Sequence, residues 1–536
     1  MIPVLSSAGM RAADQFTIER IGIPGRVLME TAGRAAADCI LERARTPGPL
    51  PAEALVLCGK GNNGGDGLVV ARCLAEADMR VRIVMALGSH GLAPDAEANL
   101  AVIRALADPR ISVIDWDGAL PGPSAGPSEA AVLGQSASAS DSAARRPAGS
   151  AVQTSPILID ALLGTGQRDA PRGAIAEVLN GTEDWPGYRV SLDIPTGLNT
   201  DTGAAPGAVF RSDFTIAIAA LKLGHLLGVG PDICGEVATV GIGIPASVLE
   251  THALEDGAHL VDDAFVRARY PVRARDAHKY HSGPALVVGG SKAYPGAPAL
   301  AATAAARVGS GYVVAAVPDP DRFSGPVEIP VIKHTDKEDL ADWMARAKAV
   351  LVGPGLGRDS SAGALVRQVV QTAPKGLVVD ADGLRALTDE GLLTGAWRDG
   401  LVPVLTPHSG EFAYMTGSST ESSEDRVTSA RRWSAAWKTV LVLKGAPTVI
   451  AHPDGRTVVS SAGGSELATA GTGDVLAGMV TGLLAMGLDP FEAAVCATHL
   501  GGAASEDFVR DHGRQSLMAS DLVRRLPRLL TRRFRL

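Results

Sequence analysis

Short apolar runs of Val, Ile, Leu and Ala, closed by glycine, proline or aspartate, recur along the whole of this chain. In the first half they are ALVLCGK from Ala54, VRIVMAL from Val81, ILIDALLG from Ile157, YRVSLDIP from Tyr188 and FTIAIAAL from Phe214. The second half repeats the pattern with ALVVGGS from Ala285, GYVVAAV from Gly311, AVLVGPG from Ala349, GLVVDAD from Gly376 and VLVLKGA from Val440. A strand that is apolar at every position is one covered on both faces. The Ala- and Leu-rich amphipathic stretches between the runs supply that cover. The pattern predicts an α/β class with two three-layer α/β/α domains, and it places function at the carboxyl ends of the strands.

With 536 residues, 46% hydrophobic and 20% charged, the chain exceeds what one core serves. We read a first domain over residues 1–245, a connection over 246–275 where charge replaces the strand pattern, and a second domain over 276–536. Residues 121–155 are rich in Pro, Ser, Ala and Gly without periodicity, the composition of a disordered surface insertion. A formal net charge of -8 argues against a nucleic-acid partner, because such proteins concentrate Lys and Arg against phosphates. The five scattered cysteines show no C-x-x-C spacing, so neither a disulfide framework nor a zinc site is signalled and a reducing, cytoplasmic setting is expected. No apolar run reaches the ~20 residues that span a bilayer, and the first residues lack the basic start of a secretion signal, so no membrane partner is expected.

Three strand ends in the first half carry polar residues. GKGNNGGDG from Gly59 follows one strand and precedes the helical run LVVARCLAEA; its glycines allow a tight turn that presents N–H groups to an anion, and Asn62, Asn63 and Asp66 suit ligand or cation contacts. IDALLGTGQRDA places Asp160 at the end of a second strand, and SLDIPTGLNTDTG places Asp193 and Thr196 at a third. A lone strand-end Asp is commonly a cap or turn former. Three in one sheet indicate a site.

The second half carries the sharper chemical pattern. ATAGTGDVLAGMVTGLL sets a glycine turn and Asp474 at the start of a helix, so that Gly471, Thr472 and Gly473 can hold a transferring phosphoryl group and Asp474 can take a hydroxyl proton. Asp474 could instead be only a helix cap. It is accompanied by VGPGLG at Val352, DADGL at Asp380, TPHSGEF at Thr406 and LKGAPTVI at Leu443, each closing an apolar strand.

Together, LMETAGRAA at Leu28, GNNGGDG, DALLGTG and DIPTGLN resemble the NAD(P)H-hydrate epimerases over most of residues 1–245. The resemblance implies a Rossmann-like sandwich in which Asn62, Asn63, Gly64, Gly65 and Asp66, with Gly164, Thr165, Gly166, Gln167, Arg168, Asp169 and Ala170, bind a hydrated nicotinamide nucleotide. It further implies K+ held by Asn63, Asp160 and Thr196, and Asp193 as substrate contact and acid/base. Thr196 stands where the family more often has Ser, which keeps the hydroxyl, and Lys60 departs from the family's small residue. Residues 276–536 resemble the ribokinase-like NAD(P)H-hydrate dehydratases. That resemblance implies hydrate contacts from Ala297, Gly355, His408 and Asp474, and nucleotide contacts from Lys444, Gly445, Ala446, Pro447, Thr448 and Gly473, within the turn that Gly471 and Thr472 share. ADP or ATP, with Mg2+, would phosphorylate the added hydroxyl so that it leaves as phosphate. The expected partners are these small molecules and further copies of the chain in a homo-oligomer.

Two other readings stay open. The GTGD turn is shared with small-molecule kinases, against which TPHSGE and KGAPT speak, and epimerase-like domains also occur in interaction proteins, against which the intact Asp66, Asp160 and Asp193 speak. Deleting residues 124–149 of the insertion is expected to leave solubility and activity unchanged, since such sequence buries little apolar area. Insoluble protein or lost epimerase activity on purification would show that the segment packs.

Overall fold

Strand Glu53–Cys58, buried at every position, stands near the middle of a seven-stranded parallel sheet in the first of two units of the computed structural model. The structure describes residues 1–45, 50–122, 155–273, 275–276, 283–374, 376–394, 397–398, 400–418 and 425–536. The first unit covers Pro3–Gly257. Its sheet runs in the order Ile111–Asp115, Arg80–Met85, Glu53–Cys58, Ile157–Ala161, Tyr188–Leu192, Phe214–Ile218, Glu236–Val240. The direction of winding reverses between Glu53–Cys58 and Ile157–Ala161, whose ends lie level with Cys58 opposite Ala161. A crevice beyond strand ends at such a reversal is where open α/β sheets bind ligands. GKGNNGGDG and LLGTGQRDA leave from these two ends.

The glycine-rich segment differs from its reading as a loop, because the helix already begins at Asn62 and runs to Glu76. A Cβ on Gly64 would stand 2.1 Å from the Gly59 carbonyl oxygen, so this turn of helix lies directly on the strand end where no larger residue fits. Burial of Asn63 to Gly67 outweighs the poor helix propensity of Gly and Asn.

The second unit comprises Ala258–Leu536 with Met1–Ile2. Its strands run in the order Val331–Lys333, Tyr312–Val317, Pro284–Val288, Ala349–Val352, Gly376–Val379, Val404–Leu405, Val440–Leu443, Thr448–Ala451, Thr457–Ser460, Ala258–Leu260. Winding reverses between Pro284–Val288 and Ala349–Val352. Strands as far as Val440–Leu443 are parallel, and Thr448–Ala451 and Thr457–Ser460 then add an antiparallel meander. Helix Thr472–Ala485 packs closely on helix Ala297–Arg307; a Cβ on Gly478 would stand 2.1 Å from the Ala301 carbonyl oxygen.

The stretch 246–275, expected as a connection, is structured over most of its length. Helix Ala246–Glu255 packs on helix Ser7–Phe16 in the first unit, while strand Ala258–Leu260 and helix Asp263–Arg269 belong to the second. Only Val248 and Ala253 of the first of these helices are buried, which is why its charged surface reads as a linker. Residues 274 and 277–282 lie outside the described residues, as do residues 123–154 of the low-complexity segment. Among the described residues no helix is long and apolar enough to cross a membrane.

Candidate active sites

In the first unit the strand ends gather the expected carboxylates around a lysine. Asp193 follows strand Tyr188–Leu192 with φ 65°, a left-handed conformation costly for a residue with a Cβ, and contacts from several elements hold it there. Its Oδ2 accepts from the Thr165 N–H and hydroxyl, both at 2.7 Å, and its Oδ1 accepts from Lys222 Nζ. Its backbone carbonyl lies 2.9 Å from His225 Nε2, and His225 Nδ1 accepts from the Lys222 N–H at 3.1 Å. Burial pushes His225 down to about 4, with Lys222 acting in the same direction, so the ring is neutral and fixed as a donor to Asp193. Lys222 is fully buried and also donates to the Ile218 carbonyl at 2.6 Å.

Electrostatics split the carboxyls into two kinds. Burial would raise Asp193, but the charge of Lys222 and the bonds from Lys222 and Thr165 outweigh it and hold the carboxyl below its ordinary range. At Asp66 the charge of Lys222 is outweighed: burial, then the charges of Asp193 and Asp14, push it well above the ordinary value. Asp14 is pushed up to about 6, chiefly by burial. A carboxyl held low beside carboxyls driven up is an arrangement that can supply both a base and an acid.

Behind this pair lies an all-oxygen cluster. The buried Asp160 accepts from the Leu162 N–H at 3.1 Å and the Thr196 hydroxyl at 2.8 Å on Oδ1, and from the Thr196 N–H at 2.7 Å on Oδ2. Burial still pushes Asp160 up to about 6. The Asn63 amide nitrogen donates to the carbonyls of Leu163 at 3.0 Å and Leu192 at 3.3 Å, which leaves its Oδ1 buried without a partner among the described residues. Two carbonyls, a hydroxyl, a carboxylate and an unpartnered amide oxygen make a donor set that fits a hard monovalent cation.

In the second unit Gly471 caps helix Thr472–Ala485 with φ 88°, which a glycine adopts without strain, and Asp474 lies in the first turn. Burial, then the charge of Asp380, push the Asp474 carboxyl up to about 7. Lys444, just beyond strand Val440–Leu443, donates from Nζ to Asp380 Oδ1 at 2.9 Å and stands 3.9 Å from Glu411 Oε2. A Cβ on Gly473 would lie 3.2 Å from that Nζ, so the ammonium borders the glycine turn. Asp380 is itself fixed by the Thr406 hydroxyl at 2.7 Å. Burial would lower Lys444, but Asp380 and Glu411 outweigh it and raise it, which keeps the ammonium charged. His408 caps helix Ser409–Thr416, its Nδ1 accepting from the N–H groups of Gly410 at 3.0 Å and Glu411 at 3.2 Å, so Nε2 carries the proton and stands 3.5 Å from Glu411 Oε1. Arg426 donates from Nη2 to the Leu443 and Lys444 carbonyls, both at 3.0 Å, and braces the strand end beneath Gly445.

Most of the residues singled out from sequence converge. Asn63, Asp66, Gly164, Thr165 and Asp193 meet at one strand edge; a Cβ on Gly164 would stand 2.9 Å from Asp193 Oδ2 and 3.2 Å from Asn63 Cβ. Gln167 is committed to the scaffold, accepting from the Gly197 N–H at 2.6 Å and donating to the Leu163 carbonyl at 3.3 Å. Asn62, Gly166, Arg168 and Asp169 are exposed at the rim, and Ala170 lies against Gly207. In the second unit a Cβ on Gly355 would meet Ala297 Cβ at 3.0 Å, and Thr448 Oγ1 donates to the Gly445 carbonyl at 3.1 Å, closing the turn through Ala446 and Pro447. Sequence reading missed Lys222, Asp14, His225, Glu411 and Arg426. Lys222 had a signal: it is the only charged side chain in the run from Phe214 to Gly228.

Residues 25–224 match the YjeF-related protein N-terminus family, and residues 285–528 match the NAD(P)H-hydrate dehydratase family. The bifunctional NAD(P)H-hydrate repair enzyme Nnr of Salinibacter ruber is 42% identical over 99% of this chain and 97% of its own length. That of Moorella thermoacetica is 34% identical over 98% and 96%, and that of Escherichia coli 30% over 97% and 92%. Among solved structures, the ADP/ATP-dependent NAD(P)H-hydrate dehydratase of Bacillus subtilis, co-crystallised with ATP and Mg2+, is 35% identical with a TM-score of 0.47, covering 51% of this chain and 98% of its own.

The buried ion pair of the first unit has a measurable consequence. Lys222→Met leaves Asp193 uncompensated in the interior and should destabilise the chain by about 3–5 kcal/mol in urea denaturation, with partial recovery when Asp193→Asn is added. A single variant within about 0.5 kcal/mol of the parent would contradict the pairing.

Proposed function

The chain belongs to the bifunctional NAD(P)H-hydrate repair enzymes, and on that premise we propose how its residues divide the work. One activity epimerises hydrated NADH and NADPH; the other dehydrates the S form back to the reduced cofactor at the expense of ADP or ATP. The observation that carries the residue assignment is the tuning of Asp474 to about 7 at the head of a helix and next to the ammonium of Lys444.

In the dehydratase site Asp474 takes the proton from the hydroxyl on the hydrated ring as that oxygen attacks the terminal phosphorus of the nucleotide. The bond from that phosphorus to the nucleotide breaks, and AMP leaves from ADP, or ADP from ATP. Lys444 and the N–H groups of the turn from Gly471 to Gly473 receive the charge on the transferring group. The ring nitrogen then expels phosphate, a far better leaving group than hydroxide, and loss of a ring proton restores the dihydropyridine. His408 presents Nε2–H for a hydrogen bond to the hydrate, and Ala297 and Gly355, in contact with each other, shape its berth. The nucleotide would lie along Lys444, Gly445, Ala446, Pro447 and Thr448, and Asp380 and Glu411, both beside the Lys444 ammonium, would be the carboxylates available to an accompanying Mg2+.

In the epimerase site Asp193 is the base that takes the proton of the added hydroxyl and Asp66, kept protonated, the acid that gives one to the ring nitrogen, so that the bond from that nitrogen to the hydrated carbon breaks to an aldehyde; re-closure on its other face, with both protons returned, inverts the carbon. Asn62 to Asp66 and the turn from Gly164 to Ala170 enclose the hydrate. Asn63, Asp160 and Thr196, with the Leu163 and Leu192 carbonyls, would hold K+, whose charge would draw a phosphate of the substrate toward this helix start.

A mixture of hydrate epimers with ADP or ATP, followed by the absorbance of reduced cofactor, tests both assignments. Asp474→Asn should lose dehydration by at least ~100-fold while epimer exchange continues. Because the catalytic form is the carboxylate and its pKa is raised to about 7, dehydration by the parent should climb with pH through that value and level off above it. Near-normal dehydration by the variant, or a parent rate flat from pH 5.5 to 8, would remove Asp474 as base. Asp193→Asn should let product plateau at the share of the S epimer; consumption of the whole mixture faster than spontaneous exchange would remove Asp193 from the epimerase mechanism.

A further inference from the structure

The second unit holds a cavity of about 230 Å³ that no residue assigned above lines. It opens beyond the carboxyl ends of the neighbouring strands Pro284–Val288 and Tyr312–Val317, with Gly290, Pro318 and Phe323 as apolar wall and Lys292, Asp319 and Arg322 as its charged groups. Arg322 donates from Nη1 to the Lys292 carbonyl at 3.3 Å, which keeps the two cationic residues together. No ion pair of Lys292 or Arg322 with a carboxylate is found among the described residues, and two cationic side chains lining one concave, half-apolar surface favour an anion.

Two placements say which anion. The cavity adjoins the Asp474 site through helix Ala297–Arg307: the Gly290 N–H donates to the Pro354 carbonyl at 2.8 Å, a Cβ on Gly355 would lie 2.7 Å from the Tyr294 carbonyl oxygen, and one on Gly471 would lie 2.8 Å from Leu300 Cδ1. A dinucleotide whose nicotinamide ring is at Asp474 can therefore extend past Ala297 toward this cavity. At about 230 Å³ it is smaller than the roughly 300–1,000 Å³ of a whole-ligand pocket and suits one end of such a molecule. The second placement is topological. In dinucleotide-binding sheets the group that reads the ribose 2′ position sits beyond the strand next to the one that ends in the glycine turn, an acid for a hydroxyl and an arginine for a phosphate. Here Gly289 and Gly290 end the one strand, and Asp319 and Arg322 follow the other.

We propose that this cavity is a subsite for a ribose 2′-phosphate, held by Lys292 and Arg322, through which the dehydratase site favours the hydrate of NADPH over that of NADH. The proposal rests on the hydrate reading of the Asp474 site. Asp319 opposes a phosphate but is outnumbered, and it can accept from a ribose hydroxyl, so the NADH hydrate still binds.

The test uses the full chain carrying Lys292→Ala with Arg322→Ala. For the NADPH hydrate KM should rise about tenfold or more at unchanged kcat, as loss of charge-assisted bonds implies, while KM for the NADH hydrate and for ADP or ATP stays put. Arg322→Lys, which keeps a charge, should retain most of the discrimination. Calorimetric titration with adenosine 2′,5′-bisphosphate, which needs no turnover, should show binding that weakens about tenfold in the double variant, while AMP binding does not change. Equal losses on both hydrates, no loss on either, or a raised KM for the nucleotide would overturn the subsite. Cation-dependent binding of the bisphosphate by a chain that dehydrates neither hydrate would sink the reading of the Asp474 site and leave the subsite standing.

Discussion

A carboxylate taken out of water needs a compensating charge, and each unit of this chain supplies one lysine for more than one acid. In the first unit Lys222 binds Asp193 and offsets Asp66 only weakly; in the second Lys444 binds Asp380 and offsets Asp474 only in part. The outcome is the same in both: one carboxylate fixed in its charged form, and a neighbour whose affinity for a proton is raised by burial and by that charge. Parallel strands make the arrangement available. The acid and the lysine each follow a strand end, and the register that brings strand Tyr188–Leu192 beside Phe214–Ile218 also brings Asp193 within reach of Lys222. In the second unit the intervening strand Val404–Leu405 contributes Thr406, which orients Asp380.

The backbone bears some of the cost. Asp193 and Ala381, the residue after Asp380, both have positive φ at the point where the strand breaks toward its next element. Residues with a Cβ hold such conformations only where several contacts over-determine them. For Asp193 those contacts are the Thr165 turn, Lys222 and His225, so the carboxyl proposed as the base is tightly restricted by its surroundings.

How far the chain could be read from its sequence follows from where burial is complete. Strands such as Glu53–Cys58, Ile157–Ala161 and Ala349–Val352 are buried at every position and stand out as unbroken apolar runs. Ile111–Asp115 and Glu236–Val240 are sheet edges with half-exposed residues, and Val404–Leu405 is two residues long, so none carries a run to detect. Site residues follow the same rule. Asp160, Asp193 and Asp474 are legible because a polar residue interrupts an apolar stretch. Lys222 interrupts one too, but its meaning depends on Asp193, 29 residues earlier, which only the sheet register brings to it. Asp14 lies on an amphipathic helix where an acid is ordinary, so its burial near Lys222 and Asp193 is a purely tertiary fact.

The two chemistries differ in what they ask of one electrostatic device. Epimerisation returns the proton it takes, so an ionised and a protonated carboxyl must coexist in one pocket. Asp193, held low by Lys222, and Asp66, driven high, are shifted in the opposite directions that the proposed roles require. Dehydration consumes a nucleotide and runs one way, so a single base near neutrality suffices, and Lys444 is free to serve two ends. It keeps Asp380 charged while standing beside the glycine turn where a phosphoryl group would pass. Had Lys444 paired with Asp474 instead, the base would be a weak one and the ammonium would be drawn away from the nucleotide. Its bond to Asp380 is therefore the contact that leaves both the proposed base and a charge for a phosphoryl group available.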